Sequence, residues 1–99
     1  MNNTKPANKL NVSRVLRAAG YRPKNNERMH STGGYISSQE GPRVLVRHRF
    51  GPEADMMPDA EREDLRGAYN DAYATVLAEA GYPLADREPG DPVRVTGGK

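Results

Sequence analysis

The chain is 99 residues long, 35% hydrophobic, with one Phe, no Trp, no Cys and a formal charge of +2. That length suits one domain with a small core. No stretch approaches the ~20 apolar residues of a membrane span, and the missing Cys excludes disulfides, thiolate nucleophiles and Cys-based zinc sites. With no apolar run behind the first basic residues, a cytoplasmic protein without a membrane role is expected. The near-neutral total conceals a division by position. Residues 1–50 hold ten Lys/Arg against Glu27 and Glu40, while residues 51–99 hold eleven acids against five bases, so the halves carry +8 and −6. Such an asymmetry predicts a basic surface, for which an acidic surface of the same molecule competes, and names no ligand.

Residues 1–10 are mostly Asn, Thr, Lys and Pro and read as a flexible basic arm. Residues 11–96 read as one α+β domain, and 97–99 as a C-terminal tail. From Asn11 to Gly20, Val12, Val15, Leu16 and Ala19 recur at helical spacing, with Asn11 as the expected N-cap and Gly20 as the stop. Residues 22–32 are polar and basic, a loop. Gly34–Ser38 and Arg43–Phe50 flank Gln39-Glu-Gly-Pro42 as a hairpin. In its second strand Val44, Val46, His48 and Phe50 share one face, and Arg43, Leu45, Arg47 and Arg49 share the other. Gly51–Pro58 reads as a loop. Asp59–Ala80 is the clearest helix, with an apolar stripe expected at Leu65, Ala68, Tyr69, Ala72, Val76, Leu77 and Ala80. Gly67 interrupts it at a cost of about 1 kcal/mol relative to Ala, which implies close packing there. Leu84–Glu88 and Pro92–Thr96 read as two short strands joined by Pro89-Gly90-Asp91.

Both helices end alike: Arg14-Val-Leu-Arg-Ala-Ala-Gly-Tyr21 and Thr75-Val-Leu-Ala-Glu-Ala-Gly-Tyr82 match in register, sixty-one residues apart. One reading is a tandem αββ duplication. The other is that each helix stops at a left-handed Gly, with the next residue folding back on the last turn. Either way the expected architecture is two-layer, approximately α-β-β-α-β-β, with both helices on one face of an antiparallel sheet.

The five residues Val12-Ser-Arg-Val-Leu16 resemble the start of the recognition helix in Lac-repressor-type bacterial repressors. That resemblance implies a major-groove helix preceded by another helix and a turn. The composition, rich in Arg, Ala, Gly, Pro and Asp with few Lys and Ile, resembles that of small uncharacterised proteins of high-GC actinobacteria and their phages or mobile elements. It implies no activity.

Binding chemistry is more legible than catalysis. Arg43, Arg47 and Arg49 project from one strand face, and Arg94 joins them if the last strand enters the same sheet. Guanidinium forks match phosphate and carboxylate bidentately, so nucleic acid is the first expected partner and an acidic protein surface the second. Tyr35 or Ile36, with Leu45, would add apolar or stacking contact. Arg22, Lys24 and Arg28 in the loop, with Lys5 and Lys9 in the arm, would extend the charge. The alternative is a protein-interaction or assembly role through Tyr73, Met56 and Met57, including a homodimer through the long helix.

No enzyme is expected. His30 and His48 are the only histidines, and Ser37 and Ser38 across the hairpin from His48 lack a nucleophile elbow or an orienting acid. The acids between Glu53 and Asp64 do not follow EF-hand spacing. The glycines form no phosphate loop. Neither a cofactor nor a metal is expected.

Overall fold

The computed structural model describes residues 5–24 and 33–98. Within them the chain is α+β: α1 (Lys9–Ala18), β1 (Gly34–Glu40), β2 (Arg43–Arg49), a 3-10 turn at Pro52–Ala54, α2 (Asp59–Glu79) and β3 (Val93–Val95). The sheet is antiparallel throughout, in the order β1-β2-β3. α1 packs against β1 and α2, while α2 packs against β2 and β3.

The hairpin forms where expected and closes more tightly, on the two residues Gly41 and Pro42. Tyr35 pairs with His48, Ser37 with Val46 and Gln39 with Val44, which places these six side chains on one face. Val44, Val46 and His48 are buried there, and Val93 and Val95 of β3 continue the core. Val12 and Leu16 of α1 and Tyr73 and Leu77 of α2 complete it. Aromatic rings supply much of the core's bulk. Tyr21 and Tyr35 both meet Tyr73 edge-on, with ring centroids 5.1 and 6.1 Å away.

Helix α1 starts earlier than expected. Asn8, not Asn11, is the cap, its Oδ1 accepting from the Leu10 N–H at 2.8 Å and the Asn11 N–H at 3.4 Å. The expected arm of residues 1–10 is therefore shorter. Ala7 is buried and donates its N–H to the Pro42 carbonyl at 2.7 Å. The Gln39 side chain clamps this segment to the hairpin, accepting from the Lys9 N–H at 3.0 Å and donating to the Ala7 carbonyl at 2.8 Å. The expected tail is likewise engaged, since the Gly98 N–H donates to the Lys5 carbonyl at 2.7 Å. Residues 1–4 of the arm, residues 25–32 of the loop (with Arg28 and His30) and Lys99 lie outside the described residues.

Both helix ends are Schellman motifs. The Gly20 and Tyr21 N–H groups donate to Arg17 and Leu16 carbonyls, and those of Gly81 and Tyr82 to Ala78 and Leu77 carbonyls. Gly20 and Gly81 sit at φ 97° and 94°, a conformation that costs a side-chain-bearing residue and that Gly adopts freely. This local motif accounts for the matching sequences. The units that follow differ: after α1 comes a full hairpin, whereas after α2 the expected strand Leu84–Glu88 contracts to a single bridge between Leu84 and Val95. Pro83 and Pro89 bracket that segment and withhold two N–H donors, and Arg87 and Asp91 turn the chain inward.

Helix α2 has the expected span but a different buried face. Asn70, Tyr73 and Leu77 are its buried residues, while Ala68 and Leu65 are exposed. The inner face is thus rotated by roughly 100°, about one residue, from the stripe expected. Small alanines gain little from burial, so Tyr73 and Leu77 set the rotation. Gly67 lies close to another segment: a Cβ there would lie 3.1 Å from the Gly90 Cα.

Candidate anion-binding sheet face

On the face opposite the core, the register makes three rows. Ile36 stands opposite Arg47, Ser38 opposite Leu45 and then Arg94, and Glu40 opposite Arg43. Arg49 extends beyond them, paired with Gly34. Arg43, Arg47, Arg49 and Arg94 are all exposed, while Ile36 and Leu45 are half-buried between them. The two-residue turn fixes this register, and the burial of Val44 and Val46 on the other side prevents a one-residue slip. Arg47 and Arg49 are roughly 7 Å apart along the strand, and Arg43 to Arg49 spans roughly 20 Å.

The four arginines are not equivalent. Arg94 Nε lies 3.1 Å from Glu40 Oε1, so its charge is partly compensated. It also borders a recess of about 200 Å³ that includes Asp86 and Asp91. Among the described residues, Arg43, Arg47 and Arg49 of β2 have no salt-bridge partner. Arg22 and Lys24 flank the far side of β1, where the Arg22 carbonyl accepts from the Tyr35 N–H at 3.0 Å and the Lys24 N–H donates to the Tyr35 carbonyl at 2.9 Å. Of the two stacking residues considered, Tyr35 faces the core and Ile36 faces the arginines.

Asp59 pairs with Arg62 at 3.4 Å, and Glu63 pairs with Arg66, both along their own helix. Arg66 also lies over the Phe50 ring, 5.5 Å from its centroid.

The protein-interface residues divide. Tyr73 is only 1% exposed, so it belongs to the core and offers no surface. Its hydroxyl is 2.7 Å from His48 Nδ1. Burial, reinforced by neighbouring Tyr69, Tyr21 and Tyr35, holds its ionisation above the ordinary tyrosine range. Met56 is 94% exposed, and Met57 is half-buried beside a recess of about 180 Å³ that Phe50, Leu65 and Tyr69 also border. His48 is enclosed by a stacked Tyr69 ring 3.9 Å away and by Phe50 edge-on at 4.7 Å. The position is that of a core histidine.

Asn70 was not legible as important. Its Oδ1 accepts from the His48 N–H at 2.8 Å and its Nδ2 donates to the Gly90 carbonyl at 2.9 Å. The β2–β3 pairing stops at Val46–Val93, and the carbonyl of Asp91, the residue next in line for His48, accepts from the Arg87 guanidinium instead. The Asn70 amide therefore stands in for a missing peptide group. Its signal in the sequence is an Asn four residues before Ala74 and seven before Leu77, on the apolar side of a helix. Next to it, Asp71 Oδ1 accepts from the Gly90 N–H at 2.8 Å and from Arg87 at 2.6 Å. The Gly90 N–H, then the Arg87 guanidinium, hold its carboxyl below the usual carboxylate range. These contacts seat the turn that leads into β3 and hence Arg94.

The resemblance of Val12–Leu16 to a repressor recognition helix has a different setting here. Val12 and Leu16 are core residues, and residues 5–8 ahead of α1 are not helical. Arg14 is exposed on the outer side of α1. Among the described residues no group of three His, Cys, Asp or Glu is placed to hold a metal ion, and no helix is long and apolar enough to cross a membrane. Compared with known protein families, curated proteins and solved structures, the chain matches none.

Proposed function

We propose that this protein is a non-catalytic binding module of the cytoplasm whose arginine-bearing sheet face engages a nucleic-acid backbone. The observation that carries the reading is the exposed set Arg43, Arg47 and Arg49 on one face of one strand, with half-buried Ile36 and Leu45 between them. The reading includes a two-layer arrangement in which both helices cover the Val44–Val46 side and leave the arginine side to solvent. The packing of α1 on β1 and of α2 on β2 and β3 supports it. Arg22 and Lys24 extend the positive border, and Arg94 contributes less because Glu40 holds it.

Phosphate contacts release counterions, so affinity should fall steeply with salt. Anisotropy titrations of a labelled duplex and a labelled single strand at several salt concentrations test this. Changing Arg43, Arg47 and Arg49 together to Ala is expected to weaken binding at least tenfold and to lower the salt slope by about 3. Unchanged affinity in that variant would remove the sheet face from consideration.

A second reading, protein interaction or assembly, rests on the exposed Met56 and on Leu65, which is 38% exposed. An interface through them, including a homodimer, is salt-tolerant. Changing Met56 and Leu65 to Glu should abolish association measured by sedimentation. Capture of partners from cell extract with and without nuclease separates the two readings.

A further inference from the structure

The two edges of the sheet are finished differently. On the β3 side the Ala85 N–H donates to the Arg94 carbonyl and the Thr96 N–H to the Pro83 carbonyl, both at 2.9 Å. These bonds engage the Arg94 carbonyl, in the middle of the three-residue strand Val93–Val95, and the Thr96 N–H just beyond it. The β1 edge is seven residues long and, among the described residues, backbone groups cover it only at Tyr35, by Arg22 and Lys24. Backbone groups of alternate strand residues point the same way, so Ser37 also directs its N–H and C=O away from β2. Among the described residues none pairs with either group. An unpaired edge of this kind is a template for another extended chain.

Beside Ser37 lies a groove of about 320 Å³ between α1 and β1, bordered by Lys9, Leu10, Arg17, Lys24, Ile36 and Ser37. Its border carries three cations and no acid. Lys9 and Arg17 are exposed on α1, facing the space that a strand added to β1 would enter, and Leu10 beside them is 64% exposed. Two copies of this edge cannot pair without bringing both sets of cations together.

We propose that the α1–β1 groove receives an extended acidic peptide segment, which adds to the sheet as a strand alongside β1. Ser37 supplies the backbone hydrogen bonds and Lys9 and Arg17 supply the charge. The site is distinct from the arginine face, whose side chains project from β2 on the side away from the core.

The probe is a labelled octapeptide of alternating Glu and Val, with alternating Lys and Val as its charge-inverted counterpart. Saturable binding of the acidic peptide alone is expected, accompanied by slowed hydrogen exchange at the Ser37 amide. Ser37→Pro removes the outward N–H at a place where an edge strand tolerates Pro, and should weaken binding at least tenfold. Lys9→Glu with Arg17→Glu should do the same. The triple Ala variant of Arg43, Arg47 and Arg49 should change it less than twofold, so this test and that of the sheet face fail separately. The proposal is overturned if both peptides bind alike or neither binds, or if Ser37→Pro is folded and binds normally. It is also overturned if the Ser37 amide becomes protected with rising protein concentration alone, which would make a second copy the occupant. The exchange measurement on the unsubstituted protein decides the matter even if Ser37→Pro fails to fold.

Discussion

Val44, Val46 and His48 are enclosed on one face of β2, whereas Arg43, Arg47 and Arg49, each one residue away, stand in solvent on the other. The same seven residues therefore meet two different environments. The inner set packs in the core, so its substitution is a matter of folding. The outer set is exposed, so its substitution should leave the fold largely intact. Arg94 differs from that set, because its bond to Glu40 ties the hairpin end to β3.

The comparison is broken most sharply by putting a carboxylate on each face. Val46→Asp buries an unpaired charge and is expected to cost on the order of 4 kcal/mol or more. Arg47→Asp should alter stability by only about 0.5 kcal/mol, as read from urea unfolding. Next in size is Asn70→Ala, which orphans the His48 N–H and the Gly90 carbonyl and should cost about 2–4 kcal/mol. Asn70→Leu should not restore the loss, since the backbone groups remain unpaired.

Tyr73→Phe sharpens the picture of the inner face. It removes the hydroxyl beside His48 Nδ1 and should cost about 1 kcal/mol at neutral pH. Tyr73 ionises less readily folded than unfolded, so its contribution is complete below the unfolded value of about 10 and falls as pH rises. The Phe variant should lack that alkaline loss. The smallest effect is expected at Asp71. Its carboxyl is depressed in the folded protein, so its stabilisation is present above the unfolded value of about 4 and disappears as pH falls. Asp71→Asn should be less stable than the native chain at pH 7 and converge with it in acid, followed by thermal unfolding across that range.

The hairpin, the long helix and the inner alternation of β2 were legible because each rests on a repeat of side-chain character that the backbone period converts into a face. The exposed arginines followed from the same alternation. Two features were not legible, and a third, the place of Tyr73, was left open between the core and an interface. Asn8 takes the cap from Asn11 because Gln39, thirty-one residues away, draws Ala7 and Lys9 onto the hairpin. The strand expected at 84–88 shrinks because Arg87 and Gly90 bond Asp71 on α2 instead of a neighbouring strand. Tyr73 is a core residue because Tyr21, Tyr35 and His48 surround it, and these come from three other parts of the chain. Each depends on partners distant in sequence, which no local pattern encodes.

The amide of Asn70 has a consequence for which states the chain avoids. Helix α2 has a side of mostly small residues and a side carrying Tyr73 and Leu77, and apolar area already favours burying the second. Turning the helix to its alanine side would strip both hydrogen bonds from Asn70 and strand the His48 N–H and the Gly90 carbonyl at once. A single polar side chain thus adds to the preference that apolar area sets, widening the energy gap between the native packing and its nearest rival.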